Sequence, residues 1–371
     1  MRTRKTLAIL AVLLASGSTI ASAQKKTVNA PQEKEALSEF VEKHFDRWDR
    51  NHDGMLVLDE VERKVEDHSV HGREAAVVFR IRQHLTAKDH QPRLSRQELL
   101  TLADDHSFEK SVEATVKQLE TIDRELFLPT DPDLSSFHQG RLGDCYLLCA
   151  IAAQVHRRPQ AIRDMIHPEV TGGFQVVFGN GQKIPVAPLT DTELLLGASL
   201  DSRHGSWLAI LEKAYGIIRE RDLVKKNKNS GKTVDPVPVE TLNGGNPGSI
   251  ISLLTGQQAA SLTLGKTAHR EQVHDLLVDT TKKRRLICLI VHVDKPPPGI
   301  GNHHAYALLS YDVKRREAMI FNPWGNNFTP KGAPGPANGY PTKLGQFTVP
   351  LDEFLEVFTR VVYETDKPLE Q

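Results

Sequence analysis

The chain has 371 residues, room for two or three packed units, and its 47 basic residues are matched by 47 acidic ones. That balance leaves no basic field for nucleic acid, so a nucleic-acid partner is excluded. Beyond the first two dozen residues no apolar run approaches the ~18 residues of a spanning helix. Arg2, Arg4 and Lys5, the apolar stretch Leu7 to Ala15 and the small residues Ala21-Ser22-Ala23 have the order of a secretory signal peptide over residues 1–23. Export is therefore expected, with a mature chain from Gln24, no lipid-anchoring cysteine and no membrane anchor, soluble in the periplasm or secreted. After removal of that segment 44 basic residues face 47 acidic ones. Three cysteines in an oxidising compartment cannot all pair. Cys145 is the natural free thiol, while Cys149 and Cys288 read as small buried residues rather than a disulfide.

Phe40, Val41, Phe45 and Trp48 share one helical face, and that helix ends where Asp49-Arg50-Asn51-His52-Asp53-Gly54-Met55-Leu56-Val57-Leu58-Asp59-Glu60 begins. This stretch matches the calcium loop of an EF-hand. Asp49, Asn51 and Asp53 offer side-chain oxygens, Met55 its carbonyl and Glu60 a carboxylate able to bind through both oxygens, while Gly54 makes the sharp turn. Val57 offers no side-chain oxygen, so water must fill that position. Ala87 to Glu98 has the same length with Leu94 and Glu98 in register, but Ala87 replaces the first carboxylate and Pro92 the hinge glycine. We expect a degenerate partner loop that pairs Leu94 with Leu56, and one Ca2+ per chain. Residues 24–110 then form an EF-hand pair, and 111–127 a linker helix.

Gln139-Gly140-Arg141-Leu142-Gly143-Asp144-Cys145 sets a cysteine at the start of a run that is apolar on every face. A helix buried all round is expected, with Asp144 as its N-cap. In the first turn the orphan N–H groups favour an anion, and a histidine partner carries a thiol from about 8.5 down to roughly 3.5–7.5. An apolar strand-like run from Leu286 to Val293 precedes Asn302-His303-His304-Ala305-Tyr306, and Asn322-Pro323-Trp324-Gly325 follows. A nucleophilic cysteine needs a base, and the base needs an orienting group that an asparagine can provide without becoming charged. His303 competes with His304, but alternation along a strand sends the two to opposite faces. The remaining histidines show no zinc-ligand spacing.

The motifs Q-G-x-L-G-D-C-Y-L-L at Cys145, H-A-Y at His304 and N-P-W-G at Asn322 resemble the calpain family of papain-like cysteine endopeptidases. Trp207 to Tyr215 is similar to its W-x-x-L-L-E-K-A-Y helix, Leu242-Asn243-Gly244-Gly245 to its L-S-G-G turn, and Gln346 to Phe358 to its closing segment. The resemblance covers about Leu128 to Val362. It implies Cys145 as nucleophile, His304 as general base and acid, Asn322 as orienter, and Gln139 as oxyanion donor beside the Cys145 N–H. It also implies Trp324 as a shield over the His–Asn pair and Gly256 as a backbone contact for substrate, with a protein or peptide as the substrate. His304 is favoured over His303 because only it precedes Ala-Tyr.

The fold class that follows is α+β: a two-lobed papain-like domain, lobes 128–255 and 256–365, preceded by the all-α EF-hand pair. The resemblance places EF-hands after the protease, so their position here is a departure. All four catalytic positions lie beyond Asp123, and the lobes are expected to keep some activity without the module. Two other functions share parts of this logic. An acyltransferase of the transglutaminase kind would leave N-P-W-G and W-x-x-L-L-E-K-A-Y unexplained, and a catalytically silent calcium-binding scaffold would keep the spelling without the chemistry.

Overall fold

The computed structural model describes residues 35–87, 91–135, 137–170, 172–198, 205–229, 238–265 and 270–370. The expected signal peptide and part of the second loop, 88–90, lie outside them. Contacts divide the chain after Ala36, and all elements below belong to the unit Leu37 to Gln371.

Helix α1 (Leu37–Trp48) buries Phe40, Val41, Phe45 and Trp48 on one face, and the Trp48 indole donates to Glu74 Oε1 at 3.0 Å. Strand β1 (Met55–Val57) leads into α2 (Leu58–Val65), and α3 (Gly72–Leu85) packs on α2. Strand β2 (Arg93–Ser95) pairs antiparallel with β1 in the register Leu56 to Leu94, as the spacing predicted. Ser95 then caps α4 (Arg96–Ala103) reciprocally with Glu98. Asp105 caps α5 (His106–Thr121), which overlaps the span expected as a linker helix. This helix packs against α3.

Helix α6 (Cys145–Arg157) is buried on all faces from Tyr146 to Val155. After α7 (Pro159–Met165), strands β3 (Ile166–Pro168), β4 (Phe174–Val177) and β5 (Lys183–Val186) form a small antiparallel sheet. Helix α8 (Asp191–Leu196) starts from a Thr190–Glu193 capping box, and α9 (Trp207–Asn229) buries Trp207 to Leu211. A 3-10 turn (Pro238–Leu242) and α10 (Pro247–Thr255) complete this half.

The other half is an antiparallel sheet of six strands in the order β10-β9-β8-β7-β11-β6. Its members are β6 (Gln257–Thr263), β7 (Ile287–Val291), β8 (His304–Asp312), β9 (Glu317–Phe321), β10 (Gln346–Pro350) and β11 (Arg360–Pro368). Helices α11 (Arg270–Lys282) and α12 (Leu351–Val357) cover one face. Alternation along β8 serves both faces: Ala305, Ala307 and Leu309 join the core around α6, while Tyr306 and Leu308 join Phe347, Phe354 and Phe358. Cys149 on α6 meets Cys288 on β7 as two free, fully buried thiols.

The N-terminal helices share a core with the rest of this unit. One continuous apolar cluster runs from Leu37 through α6 to Val362. Helix α8 is the seam: Thr190 Oγ1 donates to the Val65 carbonyl, the Gly72 N–H donates to Asp191 Oδ2 at 2.7 Å, and α3 lies along α8. The expectation that the lobes function alone takes no account of this shared core.

Candidate active site

Three segments meet where α6 begins. The Gln139 N–H donates to the Pro323 carbonyl at 2.6 Å, and the Arg141 N–H to the Leu196 carbonyl at 2.9 Å. Gly140 lies so close to the Leu196 and Gly197 carbonyls that a Cβ there would meet them at 2.2 and 2.3 Å, which requires glycine at this step of the loop. The loop before Cys145 is therefore bound to the asparagine loop on one side and to α8 on the other.

Cys145 is the first residue of α6, partly exposed, and its sulfur receives the backbone N–H groups of Ala305 and Tyr146. His304 opens β8 and is buried. Its Nε2 lies 2.8 Å from Asn322 Oδ1. The orientation of Asn322 is set independently, because its Nδ2 donates to Asn326 Oδ1 at 3.0 Å and its Oδ1 accepts the Trp324 N–H at 3.1 Å. Oδ1 is thus an acceptor, Nε2 carries the proton, and Nδ1 is left with a free lone pair to act as base. Trp324 lays its ring over the imidazole, centroids 4.2 Å apart, and also covers Gly301. His303, with a positive φ of 49°, packs against His292 instead.

Burial governs the electrostatics. His304 is lowered to about 4, first by burial and against the Asn322 bond, which raises it. The Cys145 thiol is pushed up, first by burial, with Ala305 opposing and the nearby Asp144 charge adding to the rise. Burial raises the thiol and lowers the imidazole, and the Asp144 charge adds to the rise of the thiol, so the surroundings oppose the ionised form of both groups. The N-cap expectation is corrected. Asp144 occupies the position, but its side chain makes no cap bond and turns inward.

The folded chain holds His304 neutral down to about 4, whereas the unfolded chain takes up a proton near 6.5. Stability linked to this group is intact above 6.5 and is lost as pH falls toward 4, a loss of about 3 kcal/mol at the acid end. His304→Gln should flatten the acid limb of Tm against pH by a corresponding amount. An unaltered limb would assign that titration to another group.

The family model for calpain family cysteine proteases matches residues 100–333, more than half of the chain. The chain belongs to the calpain family of cysteine proteases. A comparison with curated proteins returns no match. The match contains Gln139, Cys145, Gly256, His304, Asn322 and Trp324, and leaves the Asp49–Glu60 loop outside it.

In this calpain-family protease two of the expected site residues have polar groups bonded within the chain. Gln139 donates from Nε2 to the Leu142 carbonyl at 2.6 Å and to Asp144 Oδ1 at 3.2 Å, so both amide protons are engaged. Gly256 has both backbone groups bonded within the chain. It ends α10 with a φ of 72°, its N–H donates to the Ser252 carbonyl at 2.9 Å, and its own carbonyl accepts the Leu369 N–H at 2.9 Å. Asn326 holds the Asn322 amide and was not singled out from the sequence, nor was Glu212. Glu212 lay within a recognised motif without a role, and no local signal marks Asn326.

The Asp49–Glu60 loop of the protease closes on itself through carboxylates. Asp49 accepts the N–H groups of Asp53 at 3.2 Å and Gly54 at 2.8 Å, Asn51 Oδ1 that of Asp53 at 3.0 Å, and Asp53 that of Met55 at 2.9 Å. Glu60 accepts from Arg50 at 2.8 Å and from Val57 at 3.2 Å. Gly54 turns with a φ of 80°. Asp49 and Glu60 are buried acids, a donor type that fits an oxygen-ligated ion. Among the described residues no group of three or more His, Cys, Asp or Glu side chains is gathered as a metal site.

Proposed function

We propose that this protein is an exported endopeptidase that cleaves protein or peptide substrates through Cys145, His304 and Asn322, and that carries one Ca2+ in an EF-hand paired with a degenerate second loop. The observation that carries the catalytic reading is the imidazole with Nε2–H on Asn322 and a free Nδ1, at the head of the strand whose Ala305 N–H meets the Cys145 sulfur. Nδ1 takes the thiol proton as sulfur adds to the scissile carbonyl, forming the S–C bond. The carbonyl oxygen gains the charge beside the Cys145 N–H and the Gln139 amide. Its collapse breaks the C–N bond, and His304 returns the proton to the leaving amine. Water then releases the acid by the same route and restores the thiol. Trp324 keeps solvent off the His304–Asn322 bond throughout.

Ca2+ held by Asp49, Asn51, Asp53, the Met55 carbonyl and Glu60 would place a positive charge among the loop's acids. An exported protein meets calcium constantly, so a structural role is favoured over a sensing one. The pairing of Leu56 with Leu94 supports the EF-hand reading. Export itself rests on residues 1–23.

The test is turnover of casein by the purified full chain, followed by treatment with an epoxide thiol-protease inhibitor. Turnover should stop as the Cys145 peptide gains the inhibitor's mass, with Cys149 and Cys288 unlabelled. A silent scaffold has one observation in its favour, the two engaged protons of Gln139, and intact protein without turnover would establish it. For calcium, calorimetry should find one ion with a Kd of about 10⁻⁴–10⁻³ M. Glu60→Gln should abolish that heat and lower Tm. Two ions, or binding unchanged in the variant, would refute the assignment.

A further inference from the structure

The residue before Cys145 and a carboxylate on α9 form a pair that the proposed chemistry leaves unused. Asp144 and Glu212 are 0% and 2% exposed and hydrogen-bond side chain to side chain. Two carboxylates this close in an apolar interior cannot both ionise, so they hold a proton between them. That proton also accounts for Asp144 Oδ2 and Glu212 Oε1, both buried and otherwise without a partner. The other two oxygens are committed. Glu212 Oε2 accepts the Ala198 N–H at 2.8 Å, just past α8, and Asp144 Oδ1 accepts from Gln139 Nε2 at 3.2 Å.

Among the described residues no cation acts on the pair. Lys213, the basic group lining the same cavity as Glu212, is bonded to Glu193 at 2.8 Å, and Glu66 adds a further acid there. On the side of Asp144 the neighbouring titratable groups are Cys145 and Tyr146. Holding Asp144 in place therefore falls to Glu212.

Gln139 has two amide protons. The short 2.6 Å bond to the Leu142 carbonyl pins one, and the longer bond to Asp144 orients the other. An oxyanion would draw on that second, weaker bond. We propose that Glu212 is a positioning residue for the oxyanion donor: by sharing a proton with Asp144 it anchors Asp144 Oδ1 against Gln139 and so sets the plane of the amide that serves the oxyanion. This inference rests on reading Gln139 as that donor.

The experiment measures kcat and KM for a fluorogenic peptide derived from casein, per active site titrated with an epoxide thiol inhibitor, in the full chain. Gln139→Ala should lower kcat by about 10²–10³-fold, the usual loss for such a donor. Glu212→Ala should lower kcat by about 10–100-fold with KM within about threefold. Glu212→Gln, whose amide can donate to Asp144 and accept from the Ala198 N–H, should restore most of that loss. In the Gln139→Ala background, Glu212→Ala should change kcat by less than about twofold, because it acts through the missing amide. Losses that multiply in the double variant, or a Glu212→Gln protein as slow as Glu212→Ala, would overturn the inference and leave the oxyanion reading standing. A Glu212→Ala protein with fewer titratable sites but normal kcat per site would show a purely structural role and overturn it as well. Normal kcat in Gln139→Ala alone would refute the oxyanion reading and this inference with it.

Discussion

Cys145→Ala and His304→Ala are each expected to lower kcat by about 10⁴–10⁶-fold, and the double variant no further, because nucleophile and base act as one unit. The site predicts more than a loss. Since the surroundings oppose the ionised form of both groups, with the thiol raised and His304 lowered to about 4, the sulfur's reactivity depends on handing its proton to Nδ1. His304→Ala should therefore also slow alkylation by iodoacetamide at neutral pH, while leaving Cys145 chemically present. Asn322→Ala should cost less than either. It removes the acceptor that fixes the tautomer, but Trp324 still packs over the ring. Losses that multiply in the Cys145/His304 double variant would show that the two residues do not work together. Stability should move little with Cys145→Ala, a change of one polarisable atom at a partly exposed position.

A chain beginning at Asp123 is expected to fail to fold, despite containing every residue of the proposed catalytic machinery. Removing α1 to α5 strips Val65, Val70, Ala75 and Val78 from the core that they share with α8 and the first lobe. Each fully buried aliphatic side chain contributes about 1.5–3 kcal/mol, against a total margin of about 5–15 kcal/mol for a folded domain. The Thr190 and Asp191 bonds to Val65 and Gly72 go as well. Because α8 also carries the Leu196 carbonyl that receives the Arg141 N–H, the loop before Cys145 would lose its support. Circular dichroism and casein turnover of the shortened chain would decide this. A soluble chain with a cooperative thermal transition would show that the shared core is dispensable. A folded but inert one would point to the N-terminal helices acting on the loop.

Much of this was legible in the residues alone. The all-round apolar run after Cys145 announced a buried helix, because no surface helix tolerates that composition. The pairing of Leu56 with Leu94 was legible because the two twelve-residue stretches place these leucines at the same offset. The order Cys145, His304, Asn322 and the preference for His304 over His303 came from motif and alternation. What the residues could not determine was everything that depends on surroundings assembled from distant parts of the chain. The upward push on the thiol was not legible, because its neighbours are a buried aspartate and a strand from the other lobe, and desolvation cannot be read from local spacing. Asp144 looked like a helix cap, yet a carboxylate from α9 draws it inward. Gly256 matched a motif, but the C-terminal strand reaches back to bond its carbonyl. The N-terminal helices looked like a separate module because domain boundaries leave a trace in sequence only when the interface is polar, and here α8 joins both sides in one apolar core.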